Sequence, residues 1–240
     1  MSKRSTATYR SPLCKRYWLD AAAELKNTKI LVVTALMIAL RIVLKPLAIP
    51  LGPQLSIQPA MLATALGAMI FGPVVAIPAA LISDTVGFMI YPTGDYFLPF
   101  ALTEIAGTFI FALCLYRAKV APGRVMIARF AICFLVNVVL QQLIFGWWWL
   151  YMGNPEKAMN AVLGITTLTR LLKNTVMCPN ESVVLTLFLG LMLPITGRMG
   201  LTFGGEAKLT FSKKHIIILT VMLVVGIAAV IGYLYYKSTL

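Results

Sequence analysis

The sequence predicts an all-α integral membrane protein, and three observations carry that prediction. Of the 240 residues, 60% are hydrophobic, and the mean hydropathy is +0.87. The apolar residues fall in long unbroken runs, each near the ~20 residues that take a helix across a bilayer. The runs lack the period-2 alternation of a membrane barrel, so helices are left to satisfy the backbone in lipid. Lastly, the charges sit between the runs. A net charge of +13 would suit nucleic acid, but cations placed this way are accounted for by control of membrane topology.

In order along the chain, residues 1–29 form a basic segment with Lys3, Arg4, Arg10, Lys15, Arg16, Lys26 and Lys29. It is expected to stay in the cytoplasm, with 18–25 as a short surface helix beside the membrane. The first spanning helix is expected over 30–44. It carries Ala35 and Ala39 on one face, a spacing that lets another helix approach closely but is common in membrane helices. Arg41 and Lys45 lie near its far end. Lys45 reads as snorkelling to the interface, whereas Arg41 is deep enough to point into a cavity. The loop KPLAIPLGPQ is too apolar for an ordinary solvated loop and reads as a lid or an interfacial turn.

Three apolar runs follow over 55–117. The first two are joined by almost nothing, Phe71-Gly72-Pro73. The second and third are separated by one polar turn, Tyr91 to Phe97, which contains Asp95 and Tyr96. Asp84 lies in the second run and Glu104 in the third. An acid at membrane depth should face protein or a water-filled cavity, so these helices are expected to wrap a polar site. Pro78 is expected to bend the second run.

A fifth helix is expected over 125–151. Its outer half is polar on one side, with Asn137 and Gln141 four apart on a shared face. Trp147, Trp148 and Trp149 follow. An interfacial aromatic belt explains them, yet one or two of these rings can face a pocket and stack on a flat ligand. Residues 153–177 are expected to form an interfacial helix with Arg170, Lys173 and Asn174 on one side, interrupted by Pro179. The next spanning helix runs on to 196. Residues 197–214 are basic again, and 216–234 make a seventh spanning helix. Under this threading 15 of the 21 Lys and Arg residues lie on the cytoplasmic side, with the N-terminus. The exceptions are Arg41, Lys45, Lys157, Arg170, Lys173 and Lys237.

The sequence argues against several activities. The string GGEAK at 204–208 does not fit a phosphate-binding P-loop, so ATP hydrolysis would have to be borrowed. Cys14, Cys114, Cys133 and Cys178 are scattered without CxxC or metal spacing. No metal, cofactor or Ser/His/Asp set is indicated. Asp84 and Glu104 are conceivable as the carboxylate pair of an intramembrane enzyme, but neither has a GxGD-type context.

Several strings carry a family resemblance. IPLGPQLSI, MIFGPVV, ISDTVGFMIYPTGDYF and ALCLYR occur in that order, followed by NVVLQQLIFGWWWLYMGNP and TRLLKNTVMCPNESVV. Over about residues 28–198 the chain resembles the S components of energy-coupling factor (ECF) vitamin transporters, the folate branch above all. The resemblance implies a six-helix bundle over 30–198 that captures a vitamin from outside. It implies partners: a transmembrane T component, which Ala35 and Ala39 would face, and two ABC ATPases. The seventh helix, within 199–240, has no counterpart in the six-helix pattern.

The chain departs from the family near the expected binding end. Asp95 follows YPTG where a proline is usual, LPF stands for PGF, and Gln58-Pro59-Ala60-Met61 replaces a Ser-Phe-Gly-Phe-like string. The expected ligand is therefore folate or another flat anionic vitamin or heteroaromatic precursor. For such a ligand, a tryptophan would stack on the ring and Glu104 or Asp84 would take ring N–H groups. Asn137, Gln141 and Asn174 would supply amides, Asp95 and Tyr96 would border the site, and Arg41, Arg170 and Lys173 would hold the acid.

Overall fold

The computed structural model describes residues 9, 11–52, 55–92, 94–202, 209 and 212–238. Nine α-helices and one small β-hairpin are found among them. Helix α1 (Lys15–Ala23) runs through a short 3-10 turn into α2 (Thr28–Leu44), with a bend of 82° between the two segments. Asn27 marks the joint: its side chain accepts from the Lys29 amide and caps α2. Helix α1 packs more firmly than a loose surface helix, since Tyr17 and Ala21 are fully buried and the Tyr17 hydroxyl donates to the Ala112 carbonyl.

The apolar loop after α2 is an antiparallel hairpin rather than an irregular turn. Strands β1 (Ile49–Gly52) and β2 (Leu55–Ile57) pair Ile49 with Ile57 and Pro50 with Ser56. The next helix therefore starts at Ala60, five residues later than the apolar run begins, because Leu55–Ile57 are extended.

Helix α3 (Ala60–Ile90) holds the centre of the core. It is broken at Gly72, whose φ of 76° and ψ of 176° are not helical. A side chain there would be strained and would strike the Tyr116 ring. Residues on both sides of the break, Ala63 and Thr64 with Ala79, Ala80 and Ser83, line one cleft beside Arg41. In a straight helix Thr64 and Ser83 would stand about 28 Å apart. The chain thus turns back at Gly72, and the two arms lie side by side, as the joint Phe71-Gly72-Pro73 leads one to expect.

Helix α4 (Ala101–Leu115) follows a 3-10 turn, Leu98–Phe100. A long helical rod then spans Pro122–Tyr151: α5 (Pro122–Ala131), a π-helical stretch (Ile132–Leu140) and α6 (Gln141–Tyr151). Helix α7 (Pro155–Leu163) is separate from α8 (Ile165–Arg198). Here the structure corrects the sequence reading. The break falls at Gly164, where a Cβ would collide with the Asn160 carbonyl, and α8 continues unbroken through Pro179. A membrane helix tolerates an interior proline when neighbours re-satisfy the freed backbone.

Helix α9 (Lys213–Ser238) rests on α8 along a narrow stripe that includes Leu219 and Gly226, where Gly226 lies close against Asn180. Among the described residues, five helices are long and apolar enough to cross a membrane, six if the bent α1–α2 pair is one span. That count takes α3 as a single rod.

Candidate functional site

Ionisable residues that hydrocarbon would not tolerate are paired at the two ends of the bundle and once more on the seam between α5 and α8. At the first end, Arg41 of α2 forms an ion pair with Glu104 of α4, and Lys45 Nζ lies 3.5 Å from Asp84 Oδ1 on α3. Three helices contribute, as the deep acids require. Arg41 also lines a cleft with Thr64, Ser83 and Thr108 among Met37 and Phe71. The space inside it for a water-sized guest is about 20 Å³, far below the ~300–1,000 Å³ of typical ligand pockets, so a vitamin-sized guest requires the cleft to widen. Glu104 pairs with Arg41, and Asp84 lies near both Lys45 and Arg41.

An aromatic layer adjoins the cleft. Glu104 and Phe100 are one turn apart at the start of α4. The Phe100 ring meets Phe145 at 4.9 Å, and the Arg170 guanidinium lies 4.7 Å from the centre of that ring. Trp148 packs edge-on against Phe145 and close to Trp149. Its Nε1 is shielded from solvent and has no hydrogen-bond partner among the described residues. Trp147 is 54% exposed and meets Phe97. Tyr96 shares a hydrogen bond with Thr85 and stacks near Phe88, and Asp95 is exposed in the turn. Lys173 is half-buried on α8.

The amides are arranged differently from a simple α-helical face. The Asn137 side chain donates to Asn174 at 3.1 Å, and Gln142, not Gln141, reaches across to Thr167 at 3.0 Å. The π-helical stretch explains this, because its wider turn brings residue i+5 round to the side of residue i. Deeper on the same seam lies a pair that the sequence reading missed. Arg129 donates through two nitrogens to Glu181, both residues about 7% exposed, with Cys133 Sγ 3.9 Å from the same carboxylate. Arg129 looks like part of the basic loop with Arg124, and only the distant Glu181 marks it as buried.

The other end is closed by Arg117. Its guanidinium donates to Asp20, to Glu24 Oε1 at 3.2 Å and to the Tyr116 hydroxyl at 2.9 Å. Tyr116 in turn donates to Glu24, and Tyr9 donates to Asp20. Burial, beside the Glu24 carboxylate, pushes the Tyr116 phenol well above its ordinary range, so the phenol stays a donor. Arg117 itself has φ 48°, a backbone strain held in place by these partners. Ala35 and Ala39 lie on neither end: both are exposed on the outer face of α2 beside Leu36 and Leu40.

Comparison with known proteins gives a family and similar chains. The model of the family described as ECF-type riboflavin transporter, S component, matches residues 25–178. The folate transporter FolT of Clostridium novyi (strain NT) is 30% identical over 161 residues, which is 67% of this chain and 88% of that protein. The crystal structure of FolT bound with folic acid aligns with a TM-score of 0.57 and 25% identity, over 71% of this chain and 96% of that one. Helix α9 lies beyond the residues that the family model matches.

Proposed function

Because the chain belongs to the S components of ECF-type transporters, we propose that it captures a folate-class vitamin at the end of the bundle that carries Arg41. The observation that carries this reading is that Arg41, paired with Glu104, lines a mainly apolar cleft that also holds Thr64, Ser83 and Thr108. Such a pair can exchange partners. Arg41 takes a ligand carboxylate, and Glu104 takes ring N–H groups. Arg170 and Lys173 add positive charge across the aromatic layer, Asn137 and Asn174 supply amides, and the Trp148 N–H is a donor in want of an acceptor. Asp84, Asp95, Tyr96, Gln141 and Trp147 border the site. The similarity to FolT supports folate over other flat vitamins.

The capture unit is residues 30–198, with the N-terminus in the cytoplasm. The placement of 15 of 21 cations supports that orientation. Transport requires a T component and two ABC ATPases, and Ala35 and Ala39 form the docking face for the T component. Their joint exposure on α2 supports this. In Ala35→Trp or Ala39→Trp we expect ligand binding to persist and uptake to be lost. Normal uptake in both variants places the docking face elsewhere.

The family model names riboflavin, so the test of the ligand is a paired titration. The purified chain is titrated with folate and with riboflavin, and tryptophan fluorescence is read. Saturable binding of folate alone is the expected result. Binding of riboflavin alone overturns the folate assignment and leaves membership of the family untouched.

A further inference from the structure

We infer that α1 is an interfacial anchor whose outer face binds anionic lipid headgroups. The direction of the helix is the first support. Helix α2 carries the chain through the bilayer, and α1 with its 3-10 extension leaves it at 82°, so α1 lies along the membrane plane.

The sorting of its side chains is the second. Tyr17, Ala21 and Glu24, spaced i, i+4 and i+7, are buried against the bundle. Both acids of the segment, Asp20 and Glu24, are turned inward onto Arg117. Lys15, Arg16 and Lys26 are exposed, and none of the ion pairs among the described residues involves them. The outer face therefore presents cations alone. Trp18, Leu19 and Leu25 are exposed beside them, at 38%, 60% and 44%. Trp18 leans toward Phe109 on the flank of α4, with ring centres 6.2 Å apart.

Cations flanked by exposed tryptophan and leucine suit the boundary between headgroups and acyl chains, where apolar area and attraction to anionic lipid act together. Control of topology during insertion would explain the cations, but it does not require the acids to be turned away, since acids contribute little to that bias. The Arg117 network makes the anchor firm, because lifting α1 off the bundle breaks the contacts of Asp20 and Glu24 with Arg117 and of Glu24 with Tyr116.

The test uses the full chain in neutral detergent, titrated with short-chain phosphatidylglycerol or phosphatidylcholine, with the thermal midpoint as readout. We expect phosphatidylglycerol to raise the midpoint and phosphatidylcholine to leave it unchanged. With about 1 kcal/mol, or about fivefold, per cation, the triple variant Lys15→Gln/Arg16→Gln/Lys26→Gln should need roughly a hundred-fold more phosphatidylglycerol for the same rise. Its midpoint without lipid should match wild type, which shows that the fold is intact. Leu19→Gln, which keeps the charge, should weaken the response by several-fold. An equal response to both lipids, or an undiminished response in the triple variant, overturns the assignment. So does a triple variant that answers lipid normally but fails to assemble with protein subunits, since the face then belongs to a protein partner.

Discussion

The two ends of the bundle hold their charges in opposite ways. Around Arg117, each charge has several partners: a guanidinium, two carboxylates and two phenols close on one another. Around Arg41 the contacts are fewer: among the described residues Arg41 pairs with Glu104 near Asp84, Lys45 meets Asp84, and the Arg170 guanidinium lies over the face of Phe145. A saturated buried network is stabilising only when complete, and losing one member strands the rest. A single pair at the edge of a cleft can trade its partner for a ligand group of the same sign. On the proposed function, the first end stays shut and the second opens.

The sharpest way to break this contrast is Arg117→Met. Leaving Asp20 and Glu24 without their cation should cost roughly 3–5 kcal/mol. For a chain of this size that is about 6–20 °C in the thermal midpoint. Ligand affinity of the protein that remains folded should be unchanged, because the cleft is at the far end. A variant that melts like wild type would mean that the network is not what holds α1.

Next in size is Arg41→Gln. A charge-assisted hydrogen bond contributes about 1.5–3 kcal/mol, so affinity should fall by roughly ten- to a hundred-fold. The midpoint without ligand should move little, because Glu104 is 37% exposed and water takes over. Arg170→Gln and Lys173→Gln should each cost about tenfold in affinity, the lower end of that range. If all three variants bind as wild type does, the acid of the ligand is not what holds it.

The smallest expected effect is that of removing α9. Truncation after Gly205 should change ligand affinity by less than about threefold, since α9 touches α8 along one narrow stripe away from Arg41. A larger loss, read in the same titration, would make α9 part of the pocket wall.

Much of this plan was legible in the sequence because the bilayer imposes it. Run length set the helices, Phe71-Gly72-Pro73 announced the turn in α3, and two acids at membrane depth pointed to a polar site among them, whereas Lys45 reads as snorkelling to the interface and is instead found beside Asp84. What could not be read depends on partners far apart in the chain or on irregular backbone. Arg129 and Glu181 are 52 positions apart, and nothing local distinguishes Arg129 from its basic neighbours. Gln142 displaces Gln141 from the face of Asn137 only because the helix there is wound wider than 3.6 residues per turn. Pro179 looked like a breaker, but the break needed the bare backbone of Gly164.

The central claim is that the open end takes a flat anionic vitamin. Mass spectrometry of small molecules released from the protein tests it most directly, after mild purification from cells supplied with both folate and riboflavin. A folate, at one per chain, is the predicted result. Riboflavin or a neutral vitamin in its place would contradict the account.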